Sequence, residues 1–233
     1  MRIIGHRGAA GLALENTVES IEAAIAAGVD AIEFDIRVTK DGKVVLNHDK
    51  HIGRVSQHDH HISKHSLRKL RQIQLNNGKP IATLAEALKA ADGTELIIEG
   101  KDSDWAEPLA EFLLVQKPLP KCKVISFNHQ ELYSFSQLAP GVPTYLIENT
   151  NPFDAIRTAK LLGFHGVDLN FWLLSPFSYY LARHHKLDVI VYTVNSPWIA
   201  SFLRVLYPHI SITTNVPHQM QFLRPKTKRS KTI

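Results

Sequence analysis

Cysteine, glycine, proline and long apolar runs are all scarce in this sequence of 233 residues. The single cysteine, Cys122, excludes an intramolecular disulfide and suits a reducing compartment, so we expect a cytoplasmic protein. Glycine and proline number twelve each, which excludes a collagen-like or low-complexity chain. No segment approaches the roughly 18 consecutive apolar residues of a membrane helix, and Arg2, His6 and Arg7 interrupt the first segment. We therefore expect neither a membrane span nor a secretory leader.

Acidic residues are absent from the last ten positions, which carry most of the positive charge excess. The chain has 27 Lys and Arg against 22 Asp and Glu, a formal charge of +5 at pH 7. Five basic residues lie within 224–233, so the rest of the chain is close to neutral. We predict one domain over 1–223 and a disordered basic tail over 224–233, with no nucleic acid as partner. Such a tail can attract an anionic membrane, but we do not expect that contact.

Short apolar runs alternate with segments of helical periodicity along most of the chain. We predict nine strands, at 3–5, 31–36, 44–46, 96–98, 122–127, 144–147, 166–169, 188–194 and 210–213. We predict seven helices, at 17–27, 84–91, 105–115, 130–138, 151–162, 175–185 and 197–206. This alternation is typical of a parallel sheet covered by helices. Together with the chain length, it favours an α/β fold built as a single (β/α)8 TIM-type barrel.

Nine predicted strands exceed the eight positions of such a barrel by one. The runs at 31–36 and 44–46 are joined by a turn-like sequence at 39–42, which is too short for a helical crossover. One of these two runs is therefore an extra or hairpin strand. The segment 50–80 has no clear periodicity, as is common in binding loops and lids.

Acidic residues interrupt two of the apolar runs. Glu33 and Asp35 lie two positions apart, so on a strand both carboxylates point to one face. An exposed face would explain them, but a barrel strand is largely buried, and adjacent buried carboxylates need a cation or strong hydrogen-bond donors. A hard ion such as Mg²⁺ or Ca²⁺ suits oxygen ligands. Glu99 and Lys101 share a face in the same way. Either Glu99 is a third metal ligand with the fixed positive charge of Lys101 beside it, or the two residues form a simple ion pair.

Histidines end two of the strand-like runs, His6 in the first and His48 in the third. Barrel enzymes place their chemistry at the carboxyl ends of the strands. In a hairpin centred on the 40–41 turn, position 48 lies opposite position 33, so His48 reaches the carboxylates in either topology. A lone histidine is more often a hydrogen-bonded core residue, but two imidazoles beside a metal can exchange protons near neutral pH. The pair therefore favours catalysis.

Two positive residues accompany these acids and histidines. Arg7 can bind phosphate oxygens with its planar guanidinium group, and Lys101 supplies a compact positive charge. The combination predicts an anionic substrate, for which a phosphate ester is the simplest candidate.

Eight short motifs carry these residues in a fixed order. They are His6-Arg7-Gly8, Glu15-Asn16-Thr17, Glu33-Phe34-Asp35, Thr39-Lys40-Asp41-Gly42, His48-Asp49, Ile98-Glu99-Gly100-Lys101, Ser126-Phe127 and Thr193-Val194-Asn195. Together they resemble the glycerophosphodiester phosphodiesterase family, from residue 6 to about residue 217. The resemblance implies a phospholipase-C-like phosphodiesterase barrel. It also implies a divalent metal and hydrolysis of glycerophosphodiesters to glycerol 3-phosphate and an alcohol.

The resemblance also implies a role for each matched residue. The implied roles are metal ligands for Glu33, Asp35 and Glu99, an acid and base pair for His6 and His48, substrate binding for Arg7, Lys101 and Tyr192, and support of the site for Glu15 and Asn16. Four positions depart from the family pattern: Leu14 and Ala82 each stand for a proline, Tyr192 for a tryptophan and Asn215 for an aspartate. The choice of base between the histidines, and of water or a glycerol hydroxyl as nucleophile, is left open.

Other functions are compatible with the same residues. A lysophospholipase D acting at a membrane surface would suit the basic tail and the apolar stripe within 198–206, although such a stripe usually faces a core. A catalytically inert barrel that binds a ligand or partner is a third possibility. The histidine-rich segment 51–65 departs most from the family. Its histidines suit a transition-metal site, but a polar surface loop explains them more simply. The headgroup and the oligomeric state are left open.

Overall fold

The computed structural model describes residues 1–224, and the rest of the predicted tail, 225–233, lies outside the described residues. The strands of the described chain are β1 Arg2–Gly5, β2 Ala31–Val38, β3 Val44–Leu46, β4 Glu95–Gly100, β5 Cys122–Ser126, β6 Thr144–Glu148, β7 Gly166–Asn170, β8 Asp188–Tyr192 and β9 Ser211–Thr214. Its α-helices are α1 Val18–Ala26, α2 Leu67–Leu70, α3 Leu84–Ala91, α4 Ala106–Leu114, α5 His129–Leu138, α6 Pro152–Leu162, α7 Pro176–His184 and α8 Pro197–Leu206. Short 3₁₀ helices cover Ile62–Lys64, Phe171–Leu173 and Pro217–Leu223.

Eight strands form a closed parallel barrel. The order around it is β1, β9, β8, β7, β6, β5, β4 and β2, and β2 pairs back to β1. The remaining strand, β3, lies outside the ring and pairs with β2 as an antiparallel hairpin. The predicted (β/α)8 barrel with one extra strand is therefore confirmed.

The hairpin register differs by one residue from the sequence expectation. Ile36 lies opposite Leu46, which makes position 48 the counterpart of Phe34 rather than Glu33. The reason is an odd-numbered turn: the Thr39 N–H donates to the Lys43 carbonyl at 2.9 Å, leaving three residues in the loop. The third of these is Gly42, with φ of +72°, a conformation that glycine adopts without strain.

Polar caps begin most of the helices. Thr17, Thr83 and Ser175 each form a capping box with the residue three positions later. Helix α4 begins without a cap of its own, and the backbone N–H groups of Trp105 and Ala106 instead donate to Glu131 of α5 at 3.1 and 3.0 Å. Within residues 1–224, every helix is too short or too polar to cross a bilayer.

Two apolar cores support the carboxyl end of the barrel. The larger lies between the strands and the surrounding helices, and the second fills the barrel interior. The buried side chains of the interior core are Ile4, Ala31, Ile97, Ile125, Tyr145, Ile147 and Ile190. Alternate residues of a strand point into the barrel. The inward-pointing residues that follow this apolar layer toward the carboxyl ends of the strands therefore belong to the polar site.

The segment 50–80 packs around a small core of its own. Its buried members are Val45, Ile52, Val55, Ile62, Leu70, Ile73, Leu75 and Ile81. Two of its histidines, His51 and His61, form an antiparallel bridge with their rings edge to face. In the described chain, the histidines of this segment form no group of three ligands close enough to share an ion.

Candidate active site

Three carboxylates meet at the carboxyl ends of β2 and β4. Asp35 and Glu99 are direct partners across the two strands, and Glu33 precedes Asp35 on the same inward face. One oxygen from each of the three lies within 4.8 Å of the others. All three residues are buried. The predicted convergence of these carboxylates is thus present in the fold.

The carboxyl groups of this acidic cluster, Glu33, Asp35 and Glu99, differ in pKa because their surroundings differ. Burial raises the pKa of Glu33 well above its usual range, and repulsion from Asp35 adds to the effect. Burial and the charge of Asp35 also raise the pKa of Glu99 to about 8. Burial acts in the same direction on Asp35, but Lys101 and Arg7 more than offset it and hold its pKa below the usual range.

The acidic cluster fits a hard divalent cation. Three carboxylates supply oxygen donors, and Glu33 Oε1 is buried with no hydrogen-bond partner among the described residues. A buried unpaired carboxylate oxygen is costly unless a cation or donor compensates it. A metal ion bound by Glu33, Asp35 and Glu99 would remove that cost.

Arg7 lies in a tight turn directly after β1. Its φ of +50° aims its backbone N–H at Glu33 Oε2, at 2.7 Å. Its side chain donates to Glu15 Oε1 at 2.8 Å, and its Nε lies 3.3 Å from Asp35 Oδ2. Gly8 completes the turn, because a Cβ there would lie 2.3 Å from the hydroxyl oxygen of Ser20.

Lys101 approaches the cluster from the β4 side. Its Nζ lies 2.5 Å from Glu99 Oε1 and 3.2 Å from Asp35 Oδ1. The same ammonium lies 5.9 Å from the centre of the Phe127 ring. Asp35 is therefore flanked by both predicted phosphate-binding cations, Arg7 and Lys101.

The two predicted catalytic histidines each have a side-chain acceptor. His6 donates from Nδ1 to Asn215 Oδ1 at 2.6 Å, and its Nε2 lies 3.9 Å from Glu33 Oε2. His48 donates from Nδ1 to Asp49 Oδ1 at 2.7 Å. Burial lowers the pKa of His6 to about 4, helped by the charge of Arg7, and burial also lowers the pKa of His48. Both imidazoles are therefore largely neutral near pH 7 and able to accept a proton.

Two openings of different size reach the acidic cluster. The inner cavity, about 30 Å³, is walled by His6, Glu33, Glu99, Phe127, Asp168 and Tyr192 together with apolar side chains. The outer cleft, about 510 Å³, is walled by Arg37, His48, Lys50, Glu99, Lys101 and Asn128 among others. The predicted substrate-binding residue Tyr192 thus lines the inner cavity, and its hydroxyl donates to the Glu148 carbonyl at 3.3 Å.

The two predicted supporting residues contact the site directly. Asn16 donates to Asp35 Oδ2 at 2.8 Å and accepts from the Asp35 backbone N–H at 3.0 Å. Glu15 accepts from Arg7 and also from both terminal nitrogens of Arg54, each at 2.7 Å. Arg54 had no role in the sequence-based prediction of the site.

Asp168 was missed as a member of the site. The signal was present in the sequence, because Asp168 is an acidic residue within the apolar run 166–169. Like Glu33 and Asp35, it interrupts a predicted barrel strand.

Comparison with known proteins identifies similar sequences along almost the whole chain. The model of the glycerophosphoryl diester phosphodiesterase family matches residues 6–224. The Bacillus subtilis protein YhdW is 26% identical over 226 residues, covering 88% of this chain and 91% of that protein. A glycerophosphodiester phosphodiesterase of the same species is 25% identical over 225 residues, covering 83% and 76%. Mouse lysophospholipase D GDPD3 is 46% identical over 56 residues, covering 24% of this chain and 17% of that protein.

Solved structures share the fold over most of their length. A phosphodiesterase of Oleispira antarctica in complex with its product sn-glycerol-3-phosphate superposes with a TM-score of 0.89 at 23% identity, covering 96% of both chains. A glycerophosphodiester phosphodiesterase of Parabacteroides distasonis superposes with a TM-score of 0.82 at 27% identity, covering 95% of both chains.

Proposed function

Because the chain belongs to the glycerophosphoryl diester phosphodiesterase family, we propose that it hydrolyses glycerophosphodiesters to glycerol 3-phosphate and an alcohol. The substrates are deacylated phospholipid headgroups such as glycerophosphocholine. The observation that carries this proposal is the buried acidic cluster of Glu33, Asp35 and Glu99, flanked by two cations at the carboxyl end of the barrel.

The acidic cluster would hold a divalent metal, Mg²⁺ or Ca²⁺, through Glu33, Asp35 and Glu99. Such an ion supplies positive charge that neutralises the nonbridging oxygens of the phosphate. Arg7 and Lys101 lie beside the same cluster and donate hydrogen bonds to phosphate oxygens placed there. Asn16 holds Asp35 in position, and Glu15 orients the Arg7 side chain.

Proton transfer falls to His6 and His48, which line the two openings of the site. Each imidazole donates from Nδ1 to its acceptor, so Nε2 carries the lone pair that can take a proton. One histidine accepts the proton of the attacking hydroxyl, from water or from the glycerol moiety, and the other protonates the departing alcohol oxygen. Tyr192 forms an aromatic wall for the substrate.

The proposed activity belongs to a single catalytic domain of a cytoplasmic protein. We assign residues 1–223 to the catalytic domain and 224–233 to a basic tail, although Arg224 itself lies 3.0 Å from Asp30 in an ion pair. The thiol of Cys122 is free and buried, which suits a cytoplasmic protein.

Release of glycerol 3-phosphate from glycerophosphocholine tests the proposed function. The full chain is assayed with Mg²⁺, with Ca²⁺ and with a chelator, beside Glu33→Ala and His48→Ala. We expect metal-dependent release that both substitutions abolish. A folded protein that releases no glycerol 3-phosphate from any glycerophosphodiester would contradict the proposal.

A second candidate function, lysophospholipase D activity at a membrane surface, is favoured by exposed apolar side chains around the active end of the barrel. These side chains follow the carboxyl ends of β5, β6, β7 and β8, and they are Phe127, Phe153, Trp172, Phe177 and Trp198. Trp198 is 86% exposed and Trp172 is 77% exposed. In the stripe within 198–206, Leu203 is buried but Phe202 is exposed, so only part of that stripe faces the core.

Liposome sedimentation distinguishes the two candidates. The full chain, a chain lacking 224–233 and the variant Trp172→Ser/Trp198→Ser are spun with vesicles containing lysophosphatidylcholine. Membrane action predicts sedimentation that the double substitution weakens, together with release of choline from the lysolipid. If the full chain stays in the supernatant and cleaves only glycerophosphocholine, the first function stands alone.

A further inference from the structure

Arg37 continues the inward face of β2 beyond the acidic cluster. It follows Asp35 by two positions and Glu33 by four, so its side chain leaves the strand on the same face as theirs. There it forms part of the wall of the outer cleft, and its side chain is only 11% exposed. Phosphate binding falls to Arg7 and Lys101 in the proposed function, which leaves this third cation without a role.

The guanidinium group of Arg37 joins two loops at the carboxyl end of the barrel. Its Nε and Nη2 donate to the His48 carbonyl at 3.0 and 2.5 Å. Its Nη1 donates to Asp102, the residue that follows Lys101. The planar fork of an arginine can bind both partners at once, whereas a lysine presents a single point charge. Arg37 therefore ties the loop that carries His48 to the segment that carries Lys101.

His48 has few other connections to the barrel strands. It directly follows Asn47, whose backbone N–H donates to the Asp35 carbonyl at 3.1 Å. The bond from His48 Nδ1 to Asp49 orients the ring only within its own loop, because Asp49 is the next residue. Within residues 1–224, Arg37 is the only residue of a barrel strand whose side chain bonds residue 48 or 49. The placement of the His48 imidazole in the site therefore depends on Arg37.

We propose that Arg37 is a positioning residue, which holds the backbone of His48 so that its imidazole reaches the oxygen that it serves. This inference rests on the proposed function, in which His48 transfers a proton. Such a transfer needs the imidazole within about 3 Å of that oxygen. A misplacement of about 1 Å can slow a reaction on the order of 100-fold. Asp102 acts one step further away, by fixing the guanidinium plane of Arg37.

A direct contact of Arg37 with the substrate is the competing interpretation, because Arg37 lines the outer cleft. Kinetics on glycerophosphocholine separate the two. Arg37→Met keeps the length of the side chain but removes its donors, so we expect kcat to fall about 10- to 100-fold. The inhibition constant of glycerol 3-phosphate should stay unchanged, because Arg7 and Lys101 still bind the phosphate. Arg37→Lys keeps the charge without the fork and should lose less kcat.

NMR of the histidine rings measures the proposed contact without turnover. The ring resonances of His48 are assigned by their absence from the spectrum of His48→Ala, and those of His6 by their absence from His6→Ala. In Arg37→Met we expect the His48 resonances to shift or broaden and those of His6 to stay in place. A role of Arg37 in overall stability would not single out one histidine.

The matched control is Arg157→Met. The Arg157 side chain is 82% exposed and pairs only within α6, with Asp154 at 3.7 Å. This variant loses an arginine and an ion pair but no contact with His48. It should leave kcat, the inhibition constant and the His48 resonances unchanged.

The outcomes that overturn the proposal are distinct. A raised inhibition constant with kcat unchanged would show that Arg37 binds the substrate directly. Unchanged kcat or unshifted His48 resonances in Arg37→Met would show that His48 does not depend on Arg37. A large fall in Tm for both Arg37→Met and Arg37→Lys would assign Arg37 to folding. If the wild type releases no glycerol 3-phosphate from any glycerophosphodiester, the proposed function itself fails, whereas the NMR comparison still tests the contact.

Discussion

Replacing Glu33 with glutamine should separate metal binding from folding. The backbone N–H of Arg7 donates to Glu33 Oε2, and the amide oxygen of glutamine can accept the same bond. In the metal-free protein, burial and the charge of Asp35 raise the pKa of Glu33 and so favour its neutral carboxyl, which glutamine resembles in size, shape and charge. The substitution should therefore leave the Tm of the metal-free protein almost unchanged while removing one anionic ligand.

The size of the effect follows from binding linkage. Metal at 100 times its Kd stabilises the wild type by about 2.7 kcal/mol, whereas an affinity reduced about 100-fold leaves about 0.4 kcal/mol. For a chain of this length, 1 kcal/mol corresponds to roughly 2–4 °C in Tm. We therefore expect metal to raise the wild-type Tm by about 5–11 °C and that of Glu33→Gln by about 1–2 °C.

Thermal unfolding with and without Mg²⁺ or Ca²⁺ measures these shifts. The control is Glu111→Gln, an exposed position in α4 that should behave as the wild type in both conditions. Equal metal shifts in Glu33→Gln and the wild type would refute the assignment of Glu33 as a ligand. A metal-free Glu33→Gln that melts well below the wild type would contradict the expectation that a neutral side chain is tolerated at this position.

Three further predictions concern the neighbours of the acidic cluster. Metal affinity should fall as pH decreases below about 8, because the raised pKa of Glu99 keeps its carboxyl protonated there; a Mg²⁺ titration independent of pH contradicts this. Asn215→Ala removes the acceptor of the His6 Nδ1 hydrogen bond and should lower kcat about 10- to 100-fold. Asn215→Asp keeps an acceptor and should retain more activity. Equal losses of kcat in the two variants would count against a role of Asn215 in positioning His6. Arg54→Gln breaks the ion pair with Glu15 and should lower kcat/KM roughly 2- to 5-fold. The control is Arg71→Gln, which breaks an ion pair far from the site. Equal kcat/KM values for the two variants would show that the contact between Arg54 and Glu15 does not contribute to activity.

Most of the fold was predictable because its signals are local. The strand β3 and the helices α3 and α8 were predicted with the bounds that the structure has, since apolar periodicity and helix caps depend on neighbouring residues. The hairpin register was wrong by one residue because it depends on the left-handed conformation of Gly42, which sets the number of residues in the turn.

The site was partly predictable for a similar reason. The parity of Glu33, Asp35 and Glu99 along their strands was enough to bring their carboxylates together. The contact between Arg54 and Glu15 joins residues 39 positions apart across a segment without periodicity, so no local pattern indicates it. The presence of Asp168 in the wall of the inner cavity depends on closure of the barrel, which no local sequence pattern shows.

Phosphorus NMR of glycerophosphocholine incubated with the metal-supplemented full chain tests the central claim most directly. The technique follows the substrate and each possible phosphorus-containing product in one sample. The proposed site predicts conversion of the diester signal into that of glycerol 3-phosphate, and no conversion with a chelator present. Appearance of phosphocholine in its place, or a diester signal that persists with every metal tested, would contradict the account.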